Sequence, residues 1–155
     1  MKHKVFEAHT ASVVTIKANL FCMSVYLFTV LLSVVFYTQY VAFIPPLVLF
    51  FLEKKSYFVR FHMLQASMLA LCHLIVQLLL SIAGALFVGI YAKGNYDPNT
   101  LNMVIQGTNI LGLVLVGAII IFSFLAIRGA SNYQEYRLPL FGRLAKKYAT
   151  MRGNR

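Results

Sequence analysis

Three long segments of the chain carry no formally charged side chain: residues 18–52, 61–92 and 98–127. Each is longer than the ~20 apolar residues that cross the ~30 Å hydrocarbon core of a bilayer. A backbone inside lipid must satisfy its own N–H and C=O groups, so segments of this length are expected to be helical. The pattern therefore predicts an all-α integral membrane protein.

The first uncharged segment is predicted to be a hairpin of two short helices. A single helix of this length would be roughly 50 Å long and would place Lys17 and Lys54 on opposite sides of the membrane. That arrangement conflicts with the positive-inside rule, by which basic segments share the cytoplasmic side. A turn is available at Tyr37–Tyr40, followed by Pro45–Pro46, which suits the first turn of a new helix. The second arm, from about Val41 to Leu52, is short for a full crossing, so a tilted arm and one that reaches only part way both remain open.

The second and third segments are each predicted to form one crossing. One runs from about Phe58 to Ala92 and ends at the polar, breaker-rich turn Lys93–Asn99. The other runs from about Asn102 to Ile127 and closes at Arg128–Gly129. The result is four transmembrane helices in three parts of the chain: an N-terminal segment (1–17), a four-helix membrane domain (18–128) and a basic tail (129–155).

The net charge of +10 is distributed unevenly along the chain. Thirteen of the fourteen Lys and Arg residues lie in segments that can share one face of the membrane, and only Lys93 lies between the second and third segments. The positive-inside rule assigns the basic face, and with it both termini, to the cytoplasm. The expected location is a bacterial inner membrane, with an organelle membrane as the alternative. The basic residues are expected to face the lipid bilayer, and no nucleic acid partner is predicted.

The basic tail contains a predicted amphipathic helix between Leu138 and Thr150. Its apolar residues recur at i, i+3, i+4 and i+7: Phe141, Leu144, Ala145 and Tyr148. Its basic residues lie away from them: Arg143, Lys146 and Lys147. This pattern predicts a helix that lies in the headgroup plane, with a solvated basic tail as the alternative.

Polar side chains recur on one face of each long crossing and form a candidate functional stripe. The second segment contributes His62, Gln65, His73 and Gln77, and the third contributes Asn102, Gln106 and Asn109. Polar groups in a bilayer are costly, so each is expected to have a partner or a role. Two interpretations remain open: hydrogen bonds that fix which helix faces touch, or a polar path for a solute, a proton or an unfolded chain.

No residue set indicates catalysis, a metal site or a cofactor. The two histidines on the second segment are eleven residues apart, roughly 16 Å along a helix, so His62 and His73 cannot bind one ion from a single helix. Each acidic residue lies in a terminal or connecting segment: Glu7, Glu53, Asp97 and Glu135. An enzyme is therefore not expected. Both cysteines lie in apolar segments and are interpreted as small hydrophobic residues: Cys22 and Cys72.

Two short motifs are more specific than composition. The stretch from Glu53 to Ala66 reads EKKSYFVRFHMLQA, and the stretch from Gln134 to Phe141 reads QEYRLPLF. They resemble the "FVRFHxxQA" and "GxxYRYPL" motifs of the Tic20-like family, in the same order. The resemblance covers about two thirds of the chain, and its motif residues are Arg60, His62, Gln65, Tyr136, Arg137 and Pro139.

The Tic20-like family groups a subunit of the plastid inner-envelope protein translocon with small bacterial membrane proteins, some of them in magnetosome membranes. The resemblance implies an accessory or channel-forming subunit in protein transport or membrane assembly, with a membrane-protein partner or a second copy of the chain. The alternatives are a small solute or ion carrier, and a structural or immunity-type membrane protein without transport.

The two motifs also have a physical interpretation. Arg60 is expected to extend towards cytoplasmic headgroups, while Phe58 and Phe61 anchor the start of the helix. Arg137 follows the last crossing and is expected in the same layer. The two motifs are therefore expected to lie close together.

Overall fold

The computed structural model describes residues 4–35, 37–91, 97–139 and 141–151. These residues form five α-helices and no strand, apart from two isolated bridges. The helices are α1 (Ala18–Val34), α2 (Ile44–Leu52), α3 (Tyr57–Tyr91), α4 (Pro98–Ser131) and α5 (Phe141–Met151). The predicted all-α class is confirmed for the described part of the chain.

Two of these helices are long and apolar enough to cross a membrane, namely α3 over Tyr57–Ile90 and α4 over Pro98–Ser131. The 17 residues of α1 and the 9 residues of α2 form shorter apolar helices. At 1.5 Å per residue α2 is only about 14 Å long, roughly half of the hydrocarbon core. The prediction of four full crossings is therefore not confirmed, and α2 has the length of an arm that reaches part way.

The first two helices form the predicted hairpin. After α1 ends at Val34, a 3₁₀ turn occupies Thr38–Tyr40, and α2 begins at Ile44 with prolines in its first turn. The Ser67 hydroxyl of α3 donates to the Phe43 carbonyl at 3.0 Å, which fixes the start of α2 against α3. Both helices of the hairpin pack against α3.

One end of the bundle is closed by several segments that pack around the first turns of α3. We call this the capped end, and we call residues 132–139, which follow α4, the return segment. The N-terminal arm (residues 4–17) runs beside the return segment, where the Phe6 N–H donates to the Tyr133 carbonyl at 2.9 Å and the Glu135 N–H donates to the Lys4 carbonyl at 2.8 Å. The arm, the start of α3 and the return segment therefore share one buried core, which includes Phe58, Phe61 and Met63.

The last helix, α5, packs against α3 through its small residues. Its buried positions are Gly142, Ala145 and Ala149, whereas Leu144 and Tyr148 are about half exposed. Small residues allow the two helix backbones to approach closely. A preference for small residues at such a contact cannot be read from the hydrophobicity of the sequence. The predicted amphipathic helix is present over Phe141–Met151, and Leu144 and Tyr148 of its apolar stripe point away from α3. Its placement in the headgroup plane stays a prediction.

The connection between α3 and α4 includes the predicted turn Lys93–Asn99, of which residues 93–96 lie outside the described part of the chain, as do residues 152–155 of the tail. The described part shows why α4 begins before the expected Asn102. The Asp97 carboxylate accepts hydrogen bonds from the N–H groups of Asn99 and Thr100 at 3.1 and 3.2 Å. Asp97 thus caps a helix whose first residue is Pro98.

Candidate functional site: a sealed polar cluster and a polar groove

The polar side chains of α3 nearest the capped end form a sealed cluster with α1. His62 and Gln65 have no exposed surface, and Tyr26 of α1 is almost fully buried. The Gln65 amide nitrogen lies 3.2 Å from the Tyr26 hydroxyl and 3.2 Å from the Tyr136 carbonyl, while the Leu138 N–H donates to the Gln65 carbonyl oxygen at 3.4 Å. One amide therefore joins α3, α1 and the return segment.

The direction of the hydrogen bonds at His62 follows from its partners. Its Nε2 lies 3.2 Å from the Gln134 carbonyl, which can only accept, so Nε2 carries the proton. In a neutral ring Nδ1 is then an acceptor, and it lies 3.3 Å from the Tyr26 hydroxyl. Tyr26 donates to His62 and accepts from Gln65, so each polar atom of this cluster has a role within the protein.

The structure brings the two sequence motifs together through these bonds, because His62 and Gln65 both bind the return segment. The interpretation of Arg60 as a headgroup anchor is wrong, since it is 2% exposed and its guanidinium carbon lies 5.4 Å from the centre of the Phe50 ring. Arg137 pairs with Glu135 at 2.8 Å, and Pro139 is exposed. Among the motif residues, His62, Gln65 and Arg137 thus make the polar contacts of the capped end.

His73 lies further along α3 among apolar residues. It is 6% exposed, and neither ring nitrogen has a hydrogen-bond partner among the described residues. It borders a cavity of about 170 Å³ whose other walls are apolar apart from Cys72. His73 therefore separates the sealed cluster from the polar groups further along the helix and does not link them.

A polar groove opens beyond His73, between α1, α3 and α4. Its volume is about 500 Å³. Its polar lining comes from all three helices and the hairpin turn: Ser33, Gln39, Tyr40, Gln77, Ser81, Thr108 and Asn109. Gln77 lies over Gly112, where a methyl group added to the glycine would be 3.7 Å from both atoms of the amide. This is an ordinary van der Waals distance, so Gly112 and the Gln77 amide lie side by side in the wall of the groove.

The structure divides the predicted polar stripe into parts with different surroundings. His62 and Gln65 are sealed, while Gln77 and Asn109 reach the groove. Asn102 and Gln106 are exposed and line none of the described pockets, although they share the face of α4 that Asn109 occupies. The seven residues therefore do not form one continuous polar path.

Two acidic residues of the connecting segments, for which the sequence indicated no role, accept hydrogen bonds and form ion pairs at the capped end. Glu53 is buried and accepts from the N–H groups of Ser12, Lys55 and Ser56 and from the Ser12 hydroxyl. Burial alone would raise the pKa of Glu53, but the hydrogen bonds outweigh it and hold this pKa below its ordinary value. Glu135 is also buried and pairs with Arg137 and Lys146. In the sequence, the sign of this role was that each of the two acidic residues stands alone within a basic segment.

No group of three or more His, Cys, Asp or Glu side chains within the described ranges is placed to hold a metal ion. The chemistry that the described arrangement offers is hydrogen bonding by neutral amides and hydroxyls in the groove, and ionic contact by the basic residues of the capped end.

Comparison with known proteins places this architecture in a family. No curated protein and no solved structure matches the chain. The model of the MamF/MmsF family, described as the magnetosome magnetite crystal formation protein family, matches residues 17–145, which include α1 to α4 and the start of α5. The resemblance to the Tic20-like family was therefore wrong. Three of its six motif residues are buried at the capped end, namely Arg60, His62 and Gln65. The chain belongs to the MamF/MmsF family of magnetosome magnetite crystal formation proteins.

Proposed function

We propose that this protein lies in the magnetosome membrane and takes part in magnetite crystal formation as a non-enzymatic membrane component. The observation that carries the proposal is the family match over residues 17–145. The two helices with the length and hydropathy of membrane spans support it, because a protein of this kind is expected to contact lipid directly. Protein transport rested on the earlier resemblance and has no remaining support.

The distribution of charge supports an orientation in which the capped end faces the cytoplasm and the opposite end faces the magnetosome lumen. The capped end carries the described basic residues of the arm, the α2–α3 turn and α5, such as Lys17, Lys54 and Arg143. The opposite end presents the start of α4, whose exposed polar residues include Asn102 and Gln106. These amides are available to a surface in the lumen.

Deletion of the gene in a magnetosome-forming bacterium tests the proposal. Complementation with the wild-type chain should restore crystal size in electron micrographs, and a fluorescent fusion should lie on the magnetosome chain. The double variant Asn102→Ala/Gln106→Ala should restore crystal size incompletely at normal protein level, because it removes the exposed amides. Unchanged crystals after deletion, or a fusion spread over the whole cell envelope, would contradict the proposal.

A second candidate function is the passage of a small solute or ion, and the polar groove is the observation that favours it. The groove opens between helices that otherwise expose apolar residues, and its neutral amides and hydroxyls suit a hydrated solute. The sealed cluster at the capped end argues against a permanently open path, because Tyr26, His62 and Gln65 are all buried.

Flux of protons or of divalent cations into liposomes that contain the purified protein tests this second function. Gln77→Leu should reduce flux several-fold, whereas Gln106→Leu, the same change outside the groove, should leave it unchanged. Equal flux in protein-free liposomes would remove the solute path and leave a structural role in the membrane.

A further inference from the structure

The face of α4 that points away from the bundle carries an apolar stripe. At 100° per residue the stripe runs opposite the buried positions Ile119, Ser123 and Ala126. Its large members are all exposed: Ile110, Val114, Ile121 and Phe124. From Ile110 to Phe124 the helix rises about 21 Å, which exceeds the ~15 Å depth of one leaflet. One acyl chain can therefore lie along this stripe for its full length.

The stripe ends at the capped end in a small pocket that has both apolar and polar walls and one cationic residue. The return segment folds over the end of α4 and leaves a pocket of about 280 Å³, lined by Leu125, Arg128, Gly129, Asn132, Gln134 and Tyr136. Arg128 lies one turn beyond Phe124 on the same face of the helix, so the pocket continues directly from the apolar stripe. This arrangement of an apolar track and a cationic end matches the shape and polarity of a phospholipid.

Arg128 is the charged group of this pocket, and the capped end supplies no acid to it among the described residues. The two described ion pairs both involve Glu135, which binds Arg137 and Lys146. The Arg128 backbone carbonyl accepts from the Asn132 side-chain amide at 3.0 Å, a local contact that caps the end of α4. Arg128 is exposed and is one of the residues that line the pocket. Arginine is well suited to this role, because its planar donors match two phosphate oxygens at once.

We propose that this pocket binds the phosphate group of an anionic phospholipid, with Arg128 as the main ligand and one acyl chain along the outer face of α4. The site selects anionic lipids because a single cation without a protein counter-ion neutralises their net charge. A zwitterionic lipid carries its own cationic group beside the phosphate, so its binding gains less from the charge of Arg128. The bound lipid fills the gap between α4 and the return segment and therefore stabilises the capped end.

Native mass spectrometry of the full-length protein in neutral detergent tests the proposal. Titration with dioleoyl phosphatidylglycerol should give binding about tenfold tighter than titration with dioleoyl phosphatidylcholine, the size expected for one charge-assisted contact. Arg128→Gln should abolish this preference, and Arg128→Lys should keep part of it. Arg143→Gln, the same change of charge at an exposed position on α5, should keep the full preference.

The remaining arms distinguish the source of the phosphate. Inorganic phosphate at the same concentration should not displace phosphatidylglycerol, because it cannot use the apolar stripe. Circular dichroism of Arg128→Gln should show unchanged helicity, since Arg128 is exposed. A full preference for phosphatidylglycerol in folded Arg128→Gln would overturn the proposal. Displacement of the lipid by inorganic phosphate would do the same, because the pocket would then be a site for free phosphate.

Discussion

Gln65 donates to Tyr26 and Tyr136 and accepts from Leu138, so one side chain joins three segments of the chain. We predict that Gln65→Leu lowers the free energy of unfolding by about 2–4 kcal/mol, because several buried partners lose their hydrogen bonds. The measurement is thermal unfolding in detergent, followed by circular dichroism.

Gln106→Leu is the matched control, because it makes the same change at an exposed position of α4. It should leave the unfolding temperature within about a degree of wild type, since exposed substitutions usually cost under ~0.5 kcal/mol. Equal losses in both variants would mean that the effect comes from added hydrophobicity and not from the cluster.

A second residue-scale prediction concerns Glu53. Since its folded pKa is held below the ordinary value, its hydrogen bonds contribute stability above about pH 4.5 and lose it as the pH falls through the lowered folded pKa. Glu53→Gln should therefore unfold more easily than wild type at pH 7, by about 2 kcal/mol for hydrogen bonds to a charged group. The difference in unfolding free energy between wild type and Glu53→Gln should become smaller below pH 4.5. Glu7→Gln makes the same change at an exposed acidic residue and serves as the control. If the difference in unfolding free energy between wild type and Glu53→Gln stays constant down to pH 3, the charge of Glu53 is unimportant.

At the scale of helices and connections, the close contact between the end of α4 and the return segment depends on glycine. A methyl group added at Gly129 would overlap Tyr136 Cβ, whereas one added at Gly117 would meet nothing within 4 Å. Gly129→Ala should therefore cost at least about 2 kcal/mol of unfolding free energy through overpacking, and Gly117→Ala should be neutral or slightly stabilising. Similar melting temperatures for the two variants would show that the return segment moves freely away from α4.

Helix positions followed from the sequence where a local signal marks them. The charged turn before α3 placed its start at Phe58, one residue from the observed Tyr57. The start of α4 was placed four residues late because the Asp-Pro signature of a helix cap was not used. The packing face of α5 could not be found from hydrophobicity, because close approach to α3 favours Gly142 and Ala145 over the larger Leu144.

The candidate site was predictable only in part for a related reason. Helical periodicity grouped His62, Gln65, His73 and Gln77 on one face of α3. Periodicity could not show that the return segment buries His62 and Gln65. It also could not show that α1 ends early enough to leave a groove at Gln77. Those outcomes depend on contacts between segments that are far apart in the chain, such as the 73 residues that separate Gln65 from Leu138.

At the scale of the whole molecule, the capped end and the start of α4 are predicted to lie on opposite sides of the membrane. Single cysteines at Lys54 and at Asn99, both exposed, test this in a chain whose own cysteines are replaced by alanine. A membrane-impermeant thiol reagent added to intact magnetosomes should label Lys54→Cys, at the cytoplasmic surface, and spare Asn99→Cys until detergent opens the vesicle. Labelling of both before detergent would contradict the orientation.

The shortness of α2 has a mechanical consequence. α3 packs against α1, α2, α4 and α5, whereas among the described residues its last turns lie beside the start of α4. The molecule therefore tapers from one leaflet to the other. In the proposed orientation, with the wide end in the cytoplasmic leaflet, each copy would add more area to that leaflet than to the lumenal one. If the proposed orientation holds, a membrane crowded with such wedges would bend around the lumen, and we expect the protein to favour a small, strongly curved vesicle.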